Sequence, residues 1–215
     1  MKNKWRVKTL KNKGQFRDFF FHIDILIMLS ILGVMAVLSI FMVPGYYEIL
    51  YFGIGLLIFM FSEYLTHRFL FHLKAPDNPY LLKFLKRLHY DHHKYPNDLK
   101  LLFLPVWYSL PNFAALSVIF YLITRTVEGT VAFGAGLITL LLVYEWRHFI
   151  AHRPIKPKTR FGKWVKRTHT LHHFKNENYW YGVSTPFVDA IFGTLKEQTE
   201  VETSQTVKDL EKRAK

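Results

Sequence analysis

The sequence predicts an all-α integral membrane protein with two transmembrane hairpins, about four membrane helices, capped on one side by a helical histidine-rich domain. Three observations predict it. Apolar residues gather in four runs that are free or nearly free of charge, basic residues are confined to one side of those runs, and ten of the eleven histidines form two registered blocks. At 215 residues the chain suits one domain with a sizeable core.

Taken in order, residues 1–24 are polar and basic, and the first apolar run follows. Ile25–Val43 is 19 uncharged residues and Leu101–Thr124 is 24, against about 20 for a bilayer-spanning helix. Ile49–Ser62 and Gly129–Tyr144 approach that length only by taking in Glu48, Glu63 or Glu145 at their ends. These two runs are expected to tilt or to stop partway across. Pro44-Gly45 and Arg125–Gly129 carry the turns of the two hairpins. No small-residue cleavage pattern follows Val43, so the first run is expected to be retained.

The net charge of +13 is distributed unevenly. Of 29 Lys and Arg, seven lie in residues 1–24, seven in 66–100 and fourteen in 146–215, leaving only Arg125 elsewhere. Two hairpins put 28 of those 29 on one face, the positive-inside pattern, which turns that face to the cytoplasm. Charge interleaved with membrane segments suits anionic headgroups, and no stacking platform or recognition helix argues for nucleic acid. A multi-pass protein is expected, with a bacterial plasma membrane preferred to an endoplasmic reticulum. The absence of cysteine excludes thiolate-ligated haem and all-cysteine iron–sulfur clusters within this chain.

The histidines fall into two sets. His67, His72, His89, His92 and His93 form the first, and His148, His152, His169, His172 and His173 the second. An offset of 80 residues maps four of the first set onto the second and leaves His67 one residue short of His148. The flanks repeat too, KFLKRLHYDHH becoming KWVKRTHTLHH. Each block predicts a short interfacial helix. Asn78-Pro79 is a good helix start; Leu81, Leu85, Leu88 and His92 then share a face, as do Phe161, Val165, Thr168 and His172, opposite Lys and Arg. A charged tail, residues 196–215, lacks a long apolar stripe and reads as a frayed or loosely docked helix without chemistry.

Helical spacing aligns His148 with His152, and the first with the last histidine of each H-x-x-H-H triplet, the middle one being offset. His67 and His72, five apart, diverge by roughly 140° on an ideal helix. Either the helix ends between them or they serve different metals. Ten imidazoles exceed the needs of one ion, and imidazole suits iron, zinc, copper and nickel. The capping domain therefore reads as a cytoplasmic di-metal domain. Iron would allow dioxygen activation and zinc hydrolysis or a structural role. Glu63, Asp91 and Glu145 are expected behind the ligands, fixing histidine tautomers; His22 lies outside the pattern.

The spacing His67-x4-His72, His89-x2-His92-His93, His148-x3-His152, His169-x2-His172-His173 resembles the membrane fatty acid hydroxylase and sterol desaturase superfamily. EYLTHRFLFHL, HHKYPND and HHFKNENYWYGVSTPFVDAIFGT are most similar to its fatty acid 2-hydroxylases, over roughly Tyr46 to Thr194. The resemblance implies a domain over residues 25–195 that holds two iron ions on the ten histidines, with zinc possible in a purified form. It further implies that O2 and two external electrons hydroxylate a lipid acyl chain at its α carbon. Tyr144 and Glu145 match a Tyr-acidic pair of these hydroxylases and are the catalytic candidates, with Glu where Asp is frequent. Tyr181-Gly182 and STPFVD are expected to line the site, Asp189 in a structural part. With only 24 residues before the first apolar run, and no fused cytochrome as in many eukaryotic members, electrons are expected from a separate reductase, ferredoxin or b-type cytochrome. Two other readings stand beside it: a carotenoid or sterol hydroxylase or desaturase sharing the histidine pattern and, from a different class, a non-catalytic metal-binding or transport protein. Transport would want its ligands within the spans, whereas these histidines cluster outside the apolar runs. His67, out of register, is expected to mark where the halves coordinate differently.

Overall fold

Every regular element in the computed structural model is a helix or helical turn, and among the residues it describes, 12–42 and 45–213, there is no strand. A short α1 (Asn12–Phe20) precedes the first hairpin, α2 (Ile23–Met42) and α3 (Tyr46–Leu65). Three short helices follow, α4 (Pro79–Leu85), α5 (Asp91–Lys94) and α6 (Leu99–Leu102). The second hairpin is α7 (Val106–Thr124) and α8 (Val127–His152); α9 (Arg160–Phe174) and α10 (Phe187–Ile191) complete the order.

Among the described residues, four helices are long and apolar enough to cross a membrane, and the protein is multi-pass. The two shorter apolar runs reach spanning length because α3, of 20 residues, takes in Glu63 and α8, of 26, takes in Glu145, both buried. The first turn passes through Gly45, while Pro44 lies outside the described residues. The second is set by Arg125, whose left-handed φ of 57° stops α7, and by Thr126, whose hydroxyl accepts the Gly129 N–H at 2.8 Å and caps α8. Asp24 ties the hairpins together by accepting the Val106 N–H at the start of α7, at 2.9 Å.

α8 is the central helix: half of its apolar window is buried, against 11% of the α2 window and 6% of the span ending in α7. Phe133, Leu137, Ile138, Leu141 and Tyr144 of α8 pack with Phe59 of α3 and Met28 of α2. In lipid, such association rests on close packing rather than on escape from water, which favours small residues at the crossing. Gly55 of α3 and Gly136 of α8 meet there, and a Cβ on Gly136 would lie 2.3 Å from the Phe52 carbonyl oxygen. At the histidine end of α8, α1 stacks Phe16 on Trp146 at 5.5 Å between ring centroids, beside the buried Phe19, Phe103 and Phe149.

Both interfacial helices form. Asn78 accepts the Tyr80 and Leu81 N–H groups at 2.9 and 3.1 Å, with Pro79 at the first helical position. Leu85, Leu88, Val165 and Thr168 are buried, whereas Leu81 and Phe161, at the outer ends of the two faces, are exposed. The blocks differ in one respect: α9 is α-helical throughout, while the chain after α4 is π-helical over Lys86–Tyr90. The tail departs from its expectation as a loose helix. It folds through two three-residue turns, Gln198–Glu200 and Leu210–Lys212, and buries Val201, Val207 and Leu210 against the histidine end. Those three apolar residues share no helical stripe, so periodicity does not reveal them.

Candidate metal centre

The backbone brings all ten expected ligands into one buried layer at the end of the bundle. α3 runs into a π-helical turn, Thr66–Phe71, which carries His67 and ends at His72. The i→i+5 repeat of that turn resolves the five-residue spacing, because it puts His67 and His72 on one side; their rings are 5.1 Å apart. His89 comes from the second π turn and His92 and His93 from α5. α8 supplies His148 and His152, and α9 supplies His169, His172 and His173. None of the ten is more than 9% exposed. His22 lies apart, 3.5 Å from Asp24.

The ligand atoms converge as two groups of five, each within 4.8 Å. His67, His72, His89, His93 and His172 form the first, and His92, His148, His152, His169 and His173 the second. The middle histidine of each triplet crosses to the other half, so each group draws four ligands from one block and one from its repeat. Membership is equivalent: His67 answers to His148, and the one-residue slip is absorbed by the π turn. The expectation that His67 marks a difference in coordination is corrected at this level.

Imidazole chemistry shows what these groups fit. Nε2 atoms meet at 3.1 Å for His67 and His89, 2.9 Å for His89 and His72, and 3.1 Å for His172 and His72. In the second group the corresponding distances are 2.8 Å for His148 and His92 and 2.9 Å for His152 and His169. A neutral imidazole has one N–H and one lone pair. The Nδ1 atoms of His67, His172 and His93 face the carbonyls of Tyr181, Tyr179 and Val207 at 2.5, 2.7 and 2.8 Å. A carbonyl only accepts, so each Nδ1 donates, and three bare Nε2 lone pairs point into one space. Such an arrangement is repulsive until a cation enters it. Burial, reinforced by the neighbouring imidazoles, holds His72, His89, His92, His169, His172 and His173 well below the ordinary histidine range and His93 at about 3. Neutral, nitrogen-only donor sets of this kind could hold iron, zinc, copper or nickel.

The expected carboxylates act elsewhere. Glu63 Oε1 accepts the Val183 and Ser184 N–H groups at 2.6 and 2.8 Å. Glu145 Oε1 accepts the Leu104 N–H at 3.0 Å. Asp91 is half-exposed, in the field of Lys86. Both glutamates thus brace backbone, and carbonyls orient the rings, a role that no side-chain pattern announces. Tyr144 and Glu145 part company: Tyr144 lines a cavity beside the histidines, and Glu145 turns to the start of α7.

The segment between the last triplet and α10 is built around Asp189. Its buried carboxylate accepts the Tyr181 N–H at 2.8 Å, the Gly182 N–H at 2.7 Å and the Thr194 hydroxyl at 2.7 Å. Trp180, between the two ring-orienting carbonyls, has φ 59°, a strained state for a bulky residue that costs on the order of 1–3 kcal/mol. Its amide and indole N–H groups hold it there, bonded to the Thr194 and Lys196 carbonyls at 3.1 and 2.9 Å. Asp189→Ala strands two buried amide donors, at about 1–3 kcal/mol each. The expected result is a loss of roughly 2–5 kcal/mol in thermal unfolding followed in detergent, with Asp189→Asn milder.

Comparison with known proteins agrees with this geometry. The chain matches the fatty acid hydroxylase family over residues 52–194, which takes in all ten histidines. It is 37% identical over 146 residues to mouse (Mus musculus) fatty acid 2-hydroxylase, covering 67% of this chain and 39% of that protein. It is 32% identical over 163 residues to the ceramide very long chain fatty acid hydroxylase scs7 of Schizosaccharomyces pombe, covering 71% of this chain and 44% of that protein. A solved structure of full-length scs7p, in which the hydroxylase domain alone is visible, superposes with a TM-score of 0.71 at 25% identity, covering 83% of this chain and 66% of that one. The match thus spans about two fifths of the curated mouse relative's length. Both histidine clusters fall within the matched region, and the chain belongs to the fatty acid hydroxylase family.

Proposed function

We propose that the chain is a membrane-bound di-iron oxygenase that hydroxylates a lipid acyl chain at carbon 2, using O2 and electrons from a separate donor. The observation that carries this reading is a cavity of about 220 Å³ joining the membrane helices to the first histidine group. Phe59, Phe113, Leu116 and Leu141 make it apolar, and His67 forms part of its wall. A lipid tail can enter such a cavity sideways from the bilayer while its polar head stays at the interface. The carbon next to the head is then the one brought closest to the histidines, in keeping with the 2-hydroxylation named for the mouse protein.

Two iron ions on the ten histidines would supply O2 activation. The rest falls to the chain's own groups. The carbonyls of Tyr179, Tyr181 and Val207 hold three rings in the tautomer that presents Nε2. Tyr144 lines the cavity with its ring 5.6 Å from that of His148, so it lies between acyl chain and second group and orients one against the other. Glu145 is a positioning residue, fixing the entry to α7 and thereby the cavity wall. The apolar lining excludes water. The basic side carries the histidines, which supports a cytoplasmic metal face.

The deciding experiment supplies iron-loaded protein with reductant and lipids and measures acyl products by mass spectrometry. An O2-dependent gain of one oxygen at carbon 2 is expected, and product confined to sterols or carotenoids would replace the substrate assignment. Ser109, buried in the cavity wall, gives a sharper check. Ser109→Phe fills the space for the acyl chain, and turnover is expected to fall about 10- to 100-fold, as misplacement of a reacting group does. Bound metal should be unchanged, and Ser109→Ala should remain close to the parent.

A further inference from the structure

We infer that the chain beyond α9 makes the two histidine groups unequal metal sites: His67, His72, His89, His93 and His172 retain their ion, while His92, His148, His152, His169 and His173 exchange theirs. This rests on the two-metal reading above. Ligand membership gives no reason for a difference, since the groups are equivalent position by position. The asymmetry lies behind the ligands. In the first group, His67, His172 and His93 are each fixed at Nδ1 by a carbonyl, of Tyr181, Tyr179 and Val207. Their counterparts are His148, His92 and His173, and the Nδ1 of each is buried without a hydrogen-bond partner. Leu102 offers its carbonyl near His148, outside hydrogen-bond geometry.

A ring with Nδ1 tied to a carbonyl has its tautomer and rotation set before metal arrives; an untied ring must choose both. Losing one such partner weakens metal binding by about 10–100-fold, and here two positions, His92 and His173, differ outright, with His148 left the weaker approach of Leu102. The segment that supplies the third carbonyl is itself fastened at several points. Thr206 Oγ1 donates to the buried Glu177 at 2.5 Å, Arg213 Nε lies 3.9 Å from the same carboxylate, and Arg213 Nη1 donates to the His72 carbonyl at 2.6 Å. Access differs in the same sense, because His152 of the second group is the most exposed of the ten.

The test loads full-length protein with zinc in detergent, adds excess chelator and counts retained metal over time by elemental analysis. Two phases of one ion each are expected, with rates at least about 10-fold apart. His152→Ala should hold a single ion that leaves in the slow phase. Thr206→Val, which loosens the Val207 carbonyl, should quicken the slow phase several-fold and leave the fast one alone, whereas a general loss of stability would move both. Release of both ions at one rate, or a slow phase indifferent to Thr206→Val, would overturn the inference. Fewer than two ions at saturation would instead defeat the two-metal reading beneath it.

Discussion

His172→Ala is expected to lower hydroxylated product by about 100-fold or more, since removing a ligand exceeds the 10–100-fold of losing a partner behind one. It should also cost the chain the ion of the group assembled mainly from the first histidine block. The crossing makes this prediction specific. His172 stands in α9 among second-block ligands, yet its Nε2 is 3.1 Å from that of His72, and its Nδ1 is tied to Tyr179. Pairing by sequence would couple His172 to His152; pairing by structure couples it to His72. The double variants separate these. His72→Ala with His172→Ala should keep one ion, as either single variant does, and His152→Ala with His172→Ala should keep none. The mirror case, His92→Ala, should remove the other ion while leaving that of the first group. Metal counts that followed the sequence blocks would sink the crossed arrangement.

Much of this was legible in the sequence, where residue types themselves do the work. Apolar runs and confined charge identify four membrane helices, because lipid leaves a chain few ways to satisfy its backbone. Asn78-Pro79 announces a helix start, and the ten histidines announce the ligands through chemistry that few other residues share. What escaped is carried by backbone. A π turn has no residue signature, so the five-residue gap between His67 and His72 looked like a divergence and is an alignment. The carbonyls of Tyr179, Tyr181 and Val207 belong to every residue type, so nothing singles out those positions. Glu63 and Glu145 were read by proximity in sequence to histidines, and α-helical geometry turns both toward backbone amides instead. The docked tail escaped because Val201, Val207 and Leu210 fit a surface without any period of their own.

Gly136→Val is expected to cost the protein both ions although the substitution is twelve residues, about 18 Å of helix, from His148. At the crossing of α3 and α8 a Cβ on Gly136 would lie 2.3 Å from the Phe52 carbonyl oxygen and 3.0 Å from the Gly55 Cα; one on Gly55 would lie 2.2 Å from the Phe133 oxygen. These are backbone atoms and cannot swing aside as a flexible side chain can. The helices must part, at about 1–3 kcal/mol or more for overpacking, with the unfolding midpoint in detergent lowered accordingly. Parting them also moves the histidines, since α3 continues into the turn that carries His67 and His72, and α8 carries His148 and His152. Each metal group draws on one of these helices, so neither is spared. Gly33→Val is the control: a Cβ there meets nothing within 4 Å, and stability and metal content should both stay near the parent values. If Gly136→Val lowered the midpoint yet kept two ions, the geometry of the groups would be set by the π turns and the C-terminal segment alone. The membrane crossing would then govern stability without governing the site.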